Sequence, residues 1–398
     1  MPRFHTIDDL DVAGKRVLLR ADLNVPVKDG KVTDATRIER LAPTIEALIA
    51  KGAKVIVMSH FGRPKGYDPF QSLQQLVEPL SQALGGRTVR FAEDCIGDEA
   101  QEVIDALQPG EVALLENLRF HPEEEANDPE FAGELAALGD VYVDDAFSAA
   151  HRAHASIAAL PHLLPSAAGK LMQAELEALS GALENPRHPV MALVGGSKVS
   201  TKLDLLHFII RKVDLLAITG AMANTFLYAK GRQIGRSLCE PDLADIARAV
   251  ISFAEEQGCD IILPEDVVTA DKLEAGVPTA TVGVHMVPVN AMILDIGPET
   301  VARIGRALAG SRTLVWNGPV GAFETPPFDH ATVALARKVA ELTRAGQLMS
   351  VAGGGDTVAA LHAAGVADDL TYVSTAGGAF LEWLEGRELP GVKALESA

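Results

Sequence analysis

Val17-Leu18-Leu19 runs without a break into Arg20-Ala21-Asp22-Leu23-Asn24-Val25-Pro26. The apolar run is too short for a buried helix and ends in charged and turn-forming residues, so it reads as a buried strand followed by a loop. The pattern recurs along the chain. In the first half Val55–Met58, Val112–Leu115 and Val141–Val143 read as strands, with helices over Ile38–Ala50 and Leu73–Leu84 between them. In the second half Met191–Val194, Leu215–Ile218, Ile261–Leu263, Thr313–Trp316, Met349–Ala352 and Tyr372–Ser374 read likewise as strands. Near-continuous apolar strands alternating with helices belong to parallel sheets covered on both faces. The fold class is therefore α/β, with two doubly wound, Rossmann-like parallel-sheet domains joined by a helical hinge.

Two domains also suit the length of 398 residues, about twice that of a common single domain. The boundary is expected between Leu163 and Pro189, in a stretch punctuated by Pro161, Pro165, Gly169, Pro186 and Pro189. This gives a first domain over 1–168, an interdomain helix over 169–185 and a second domain over 186–385. Within Gly169–Leu183, Met172, Leu176, Leu179 and Leu183 recur at helical spacing and form one apolar stripe. The stripe suits either an ordinary surface helix or a connector packed against both domains.

Composition narrows the function. Hydrophobic residues make up 48% of the chain and charged residues 22%, enough for sizeable cores. No apolar run approaches the roughly 18 residues of a membrane span, and the early Asp8, Asp9 and Asp11 do not suit a signal peptide. The 3 cysteines, Cys95, Cys239 and Cys259, are far apart without metal-ligand spacing, so neither a disulfide framework nor a zinc site is expected, and a reducing cytoplasm fits best. A net charge of −19 argues against nucleic-acid or anionic-membrane partners. It also makes a local cluster of arginines informative.

Ligands of open α/β sheets bind beyond the carboxyl ends of strands. In the first half each of four strand ends delivers a cation there: Arg20, then Arg63 with His60, then Arg119, then Arg152 flanked by His151 and His154. Asp22 and Asn24 share the first of these positions, and Arg37 enters at a helix start. One such arginine would be a solvated surface residue. Four on an acidic chain point to a small, multiply anionic ligand, because guanidinium forks match phosphate and carboxylate.

The second half carries glycine-bearing strand-to-helix turns. Gly195-Gly196-Ser197-Lys198-Val199-Ser200-Thr201-Lys202 places two lysines four apart at an expected helix start. It reads as a phosphate loop or as an ordinary turn and cap, and it is not the G-x-x-x-x-G-K-[ST] pattern. Val351-Ala352-Gly353-Gly354-Gly355-Asp356-Thr357 lets backbone approach a phosphate, and Asp356 suits Mg²⁺ bound to a nucleotide. Val358 stands where a dinucleotide fingerprint needs its last small residue, so that pattern fails. Ser374-Thr375-Ala376-Gly377-Gly378 and Trp316-Asn317-Gly318-Pro319-Val320-Gly321, with Glu324 beyond for ribose hydroxyls, complete a set that favours a nucleotide triphosphate.

RADLNVP, SHFGRP, ENLRFHPEEE, DAFSAAHRAHAS, GGSKVSTK, WNGPVGAFE, AGGGDT and STAGGAFLEWLEG lie in this order from Arg20 to Gly386. In them the chain strongly resembles the phosphoglycerate kinases. The resemblance implies that Arg20, Asp22, Asn24, Arg37, His60, Arg63, Arg119, His151, Arg152 and His154 surround 3-phosphoglycerate. It implies that Lys198, Lys202, Asn317, Pro319, Glu324, Gly353, Gly354, Gly355, Asp356 and Thr357 bind ATP or ADP with Mg²⁺, Asp356 being the metal residue. A C-terminal segment of about 386–398 packing back on the first domain is implied too. Ser148 and Ala376 depart from the family's pattern, which has glycine at both places.

The acceptor in such a reaction is a carboxylate, already ionised near neutral pH, so no general base is needed. Arg37, Lys202, Gly377 and Gly378 are the expected catalytic groups, stabilising charge on the transferring phosphoryl group. Ligands on different domains imply closure to align them and exclude water. Asp22 reads as an orienter of Arg37 or as a turn-forming residue. A monomer is expected. The other readings are a dehydrogenase or kinase of the same architecture, and a non-catalytic scaffold that kept the fold.

Overall fold

The computed structural model describes residues 4–396. The chain divides into two compact units, one of Met1–Leu176 with Glu388–Ala398 and one of Glu177–Arg387. The helix read from Gly169 spans Lys170–Leu183, and the division falls inside it, between Leu176 and Glu177.

The first unit is built on a six-stranded parallel sheet. Its order is Val89–Ala92, Val112–Leu115, Lys54–Met58, Arg16–Arg20, Val141–Asp144 and Ser166–Ala168. The first strand is central because Val17, Leu18 and Leu19 are fully buried, which only a sheet covered on both faces permits. Helix Thr36–Ala50 lays Ile38, Leu41, Ile45 and Leu48 on that sheet. Two strands were not legible in the sequence. Val89–Ala92 exposes Arg90, and Ser166–Ala168 has only small side chains; both are edge strands, half relieved of the need to be apolar. The expected helix Leu73–Leu84 is a 3₁₀ turn, Leu73–Leu76, followed by an α-helix, Val77–Ala83. Pro79, which lacks an N–H, falls in the first turn of Val77–Ala83, where that loss costs least. After Glu388 the chain adds helix Pro390–Leu395 to this unit, where Gly391 N donates to Ala150 O at 2.8 Å.

The second unit repeats the plan with the order Asp260–Ile262, Leu215–Ile218, Val190–Val194, Thr313–Asn317, Met349–Gly353 and Tyr372–Ser374, all parallel. It adds an antiparallel sheet of Ala280–Gly283, Asp266–Ala270 and Met292–Ile296, absent from the sequence reading because its strands are partly exposed. In each main sheet the chain reverses its direction of growth beside the first strand. The two switch points are Arg16–Arg20 against Val141–Asp144, and Val190–Val194 against Thr313–Asn317.

Acidic groups are buried at the switch point of the first unit. Asp145 Oδ1 accepts from Leu171 N (2.8 Å) and Met172 N (3.0 Å), anchoring the start of helix Lys170–Leu183. Asp144 is fully buried; its Oδ1 accepts from Ala146 N at 2.9 Å, while its Oδ2 has no partner. Burial raises its pKa to about 7, against the pull of Arg20. A raised carboxyl pKa lets the folded state hold a proton that the unfolded chain has released. This group therefore costs stability fully above about pH 7, progressively less down to about pH 4, and nothing below. Asp144→Asn keeps the acceptor and removes the charge. Urea unfolding should show it more stable than the parent at pH 8, by up to about 4 kcal/mol, with the advantage fading toward pH 4. A pH-independent difference would show that Asp144 carries no such cost.

Candidate functional site

In the first unit Asp22 organises the loop beyond the central strand. Its Oδ1 accepts from Asn24 N at 3.0 Å, and its Oδ2 lies 2.9 Å from Arg37 Nη1 and accepts from Ser148 Oγ at 2.5 Å. Arg37 also donates to Asn24 O at 2.8 Å, and Asn24 Oδ1 accepts from Gly62 N at 3.0 Å. The guanidinium is thus held by two acceptors at the start of helix Thr36–Ala50 and remains 38% exposed. Ser148, one of the two departures from the family pattern, adds a hydroxyl bond across the switch point.

The remaining cations divide into internal and outward groups. Arg20 is fully buried, and all three of its nitrogens are used inside: Nε donates to Ser156 Oγ at 2.8 Å, Nη1 to Ala21 O, and Nη2 lies 3.1 Å from His60 Nδ1. A guanidinium only donates, so Nδ1 accepts and the His60 proton sits on Nε2. Burial first, then Arg20, Arg119 and Arg152, hold the His60 pKa well below its usual value, and the same causes bring His154 down to about 4. His60 and His154 are therefore neutral at pH 7, which corrects their inclusion among the cations. Arg119 is buried, donating to Gly62 O at 2.7 Å, with its Nε 3.2 Å from Glu125 Oε1; burial lowers its pKa, Glu125 opposing. Arg63 is exposed and Arg152 and His151 are half-buried. Among the described residues no carboxylate pairs with Arg63 or Arg152.

Several supporting residues escaped the sequence reading. Asn117, fully buried, donates to Phe61 O and Gln71 O at 2.8 Å each and accepts from Phe61 N and Arg119 N at 3.1 Å, fixing the loop that carries Arg63. Ser59 Oγ accepts from Leu23 N at 2.9 Å. Glu124, buried between exposed Glu123 and Glu125, accepts from Ser156 N at 2.9 Å and Ser156 Oγ at 2.6 Å. Asn117 and Ser59 stood within strand-end motifs. Nothing in three consecutive glutamates marks the middle one as internal.

In the second unit two backbones meet at the switch point. A side chain on Gly195 would collide with Pro319 O, and one on Gly318 (φ 101°) with Gly195 O. Only glycine fits either place. The contact brings three loops together. Asn317, buried, accepts from Lys202 Nζ and donates to Gly353 O at 2.8 Å, while Gly318 N donates to Thr357 Oγ1 at 2.7 Å. Gly354 (φ 95°) caps helix Gly355–Ala363, and a Cβ there would lie 2.7 Å from Asn317 Nδ2. Lys202 is half-buried; burial lowers its pKa, with Glu385 and Asp356 opposing.

The helix after Gly195–Lys202 starts only at Leu203, with Lys202 as its cap residue. Lys198 therefore lies in an exposed turn rather than one helical turn from Lys202, contrary to expectation. Ser200 is drawn aside by Glu240, which accepts from its N at 3.0 Å and from its Oγ. Gly355, Asp356 and Glu324 are exposed, and Pro319 is half-buried. In the last loop the positive φ falls on Gly377 (57°), the cap of helix Gly378–Leu384, and not on Ala376. Alanine in place of the family's glycine is therefore unstrained. Asp356, a solvent-facing carboxylate beside Lys202, suits Mg²⁺, which takes few protein oxygens and completes its shell with phosphate and water.

The sequence profile of the family described as phosphoglycerate kinase matches residues 7–387. A phosphoglycerate kinase of Rhodospirillum centenum is 61% identical over 393 residues, covering 98% of this chain and 99% of its own. One of Methylobacterium radiotolerans is 60% identical over the whole of both chains. The solved phosphoglycerate kinase of Coxiella burnetii superposes with a TM-score of 0.92 at 42% identity, over 99% of each chain. That of Pyrococcus horikoshii gives 0.80 at 32%, over 98% of each. With the same order of loops, the same paired sheets and full-length likeness, this chain belongs to the phosphoglycerate kinase family.

Proposed function

We propose that the two loop clusters divide the family's reaction between them, the first unit holding 3-phosphoglycerate and the second the nucleotide. The reaction is reversible phosphoryl transfer between ATP and the carboxylate of 3-phosphoglycerate. The observation that carries the assignment is the Arg37–Asp22 pair, which fixes a guanidinium against the loop beyond the central strand, where Asn24 bonds Gly62 and Arg119 donates to the Gly62 carbonyl. Arg63, Arg119 and Arg152 hold the unreactive phosphate, with Asn24, Arg37 and the Nε2–H of His60 near the glycerate. Arg20, His151 and His154 support this patch, Arg20 from the interior.

Lys202, held by Asn317, meets the phosphoryl group, and Lys198, Gly353–Gly355, Thr357, Pro319 and Glu324 surround the nucleotide. Magnesium held by Asp356 would offset charge on the nucleotide phosphates. The acceptor is already an anion, so no side chain has to remove a proton from it. The lowered pKa values of His60 and His154 agree with that: both are weak bases, and the Nδ1 lone pair of His60 is already taken by Arg20. What remains is positioning and charge stabilisation, supplied by Arg37, Lys202 and the N–H groups of Gly377 and Gly378. Both ligand sets lie in one chain, which supports a working monomer, and the acidic surface supports a cytoplasmic enzyme without nucleic-acid or membrane partners. Among the described residues no helix is long and apolar enough to cross a membrane.

Groups that bind ground and transition states alike act on KM, whereas those engaged only in the transition state act on kcat. Arg63→Ala and Arg119→Ala should chiefly raise KM for 3-phosphoglycerate. Arg63 is exposed, so its loss leaves packing intact. Lys202→Ala should chiefly lower kcat, by about a hundredfold or more. A near-normal kcat at saturation would remove Lys202 from the catalytic set.

The histidines supply a pH test. Ring NMR should place the His154 titration near pH 4 and that of His60 well below the usual histidine range. The unfolded imidazole binds its proton near pH 6.5 and the folded His154 only near 4, so this group withdraws stability as pH falls through that window. A titration of either ring near pH 6.5 would contradict the burial argued above.

A further inference from the structure

Among residues that neither ligand cluster uses, the loop after edge strand Val89–Ala92 and His121 bring together three side chains of unlike donor chemistry. Asp94 Oδ1 and His121 Nε2 are 2.7 Å apart. Cys95 is a buried free thiol, and one ligand atom each from Asp94, Cys95 and His121 lie within 4.8 Å of one another. The thiol approaches from the interior, while Asp94 and His121 are half-exposed, so the cluster is closed below and open to water above. The His121 ring is braced by Phe131, with centroids 5.3 Å apart. The sequence spacing hid this grouping, since His121 lies on the far side of the strand Val112–Leu115.

We propose that Asp94, Cys95 and His121 form a binding site for a borderline-soft divalent cation of the zinc class, with water completing the coordination. One thiolate, one imidazole and one carboxylate are a donor set that zinc and cobalt accept and that magnesium does not favour. The site is thereby chemically distinct from Asp356. Tetrahedral ligands of one zinc ion stand about 3.3–3.8 Å apart, given bonds of about 2.0–2.3 Å. The Asp94–His121 pair, at 2.7 Å, therefore has to open, and rotation of these two half-exposed side chains beside the buried thiol supplies that change. Asp94 Oδ1 can go on accepting from Cys95 N at 2.6 Å, while Oδ2 takes the metal. Burial, Asp94 and Glu124 keep the free thiol protonated. Binding therefore forms an S–metal bond and breaks the S–H bond, releasing that proton to solvent.

The test is a cobalt(II) titration of the purified full-length chain. One equivalent should produce a thiolate-to-cobalt charge-transfer band in the near ultraviolet, which added zinc abolishes. The band reports sulfur ligation alone, so cobalt at a nucleotide site does not contribute. Cys95→Ser should lose the band and weaken calorimetric zinc binding at least about tenfold, whereas Cys259→Ser should alter neither. His121→Ala removes a half-exposed ligand without opening the core and should weaken zinc binding comparably, which covers the case of a poorly folded Cys95→Ser. No charge-transfer band in the parent chain, or one that survives in Cys95→Ser, overturns the proposal.

Discussion

A guanidinium with no exposure to water lies at the centre of the first unit. Arg20 ends the central strand, and its charge must be met by protein atoms, because a buried charge without partners is strongly destabilising, by about 3–5 kcal/mol when one partner is removed. Ser156 accepts from Arg20 and is itself held twice by the buried Glu124, while Tyr142 donates to Ser156 O at 2.7 Å. These bonds tie the central strand, its neighbour Val141–Asp144, the Pro122–Glu125 turn and the Ala155–Ala159 turn into one assembly. Because Arg20 also occupies His60 Nδ1, the same charge fixes the ring's tautomer and helps keep it neutral. Arg20, Ser156, Glu124 and Tyr142 are thus bonded to one another or to backbone inside the unit.

The second unit reaches its geometry by a different means. There the constraint is steric: Gly195 and Gly318 allow two strand-end loops to touch, and the touching loops deliver Asn317 to Lys202, Gly353 and the neighbourhood of Thr357. Partly buried Lys202 loses hydration, which lowers its pKa against the pull of Glu385 and Asp356. A carboxylate acceptor and a phosphate donor demand positioned charge rather than proton transfer.

The two departures from the family pattern acquire different meanings in three dimensions. Ala376 is neutral because the left-handed conformation belongs to Gly377, one residue later. Ser148 contributes, because its hydroxyl reaches Asp22 and through it shares the carboxylate that positions Arg37. Neither outcome is visible from the identity of the substituted residue.

The sequence by itself determined the alternation of buried strands and helices, the parallel sheets, the location of ligand loops at strand ends and the family. These follow from periodicity and local order, which a linear chain displays directly. Tertiary structure alone decided which charges are real and which groups meet. His60 and His154 look like ordinary histidines in sequence and are held more firmly neutral once buried beside arginines. Glu124 is internal where its two neighbours are solvated. Lys198 lies outside the helix, and Ser200 beside it is bonded to Glu240, forty residues beyond Ser200. His121 converges on the adjacent Asp94 and Cys95 although it lies 27 residues beyond Asp94. Desolvation and hydrogen bonding act over a few ångströms, and the residues that lie so close are chosen by the packing of distant segments, which no local pattern encodes.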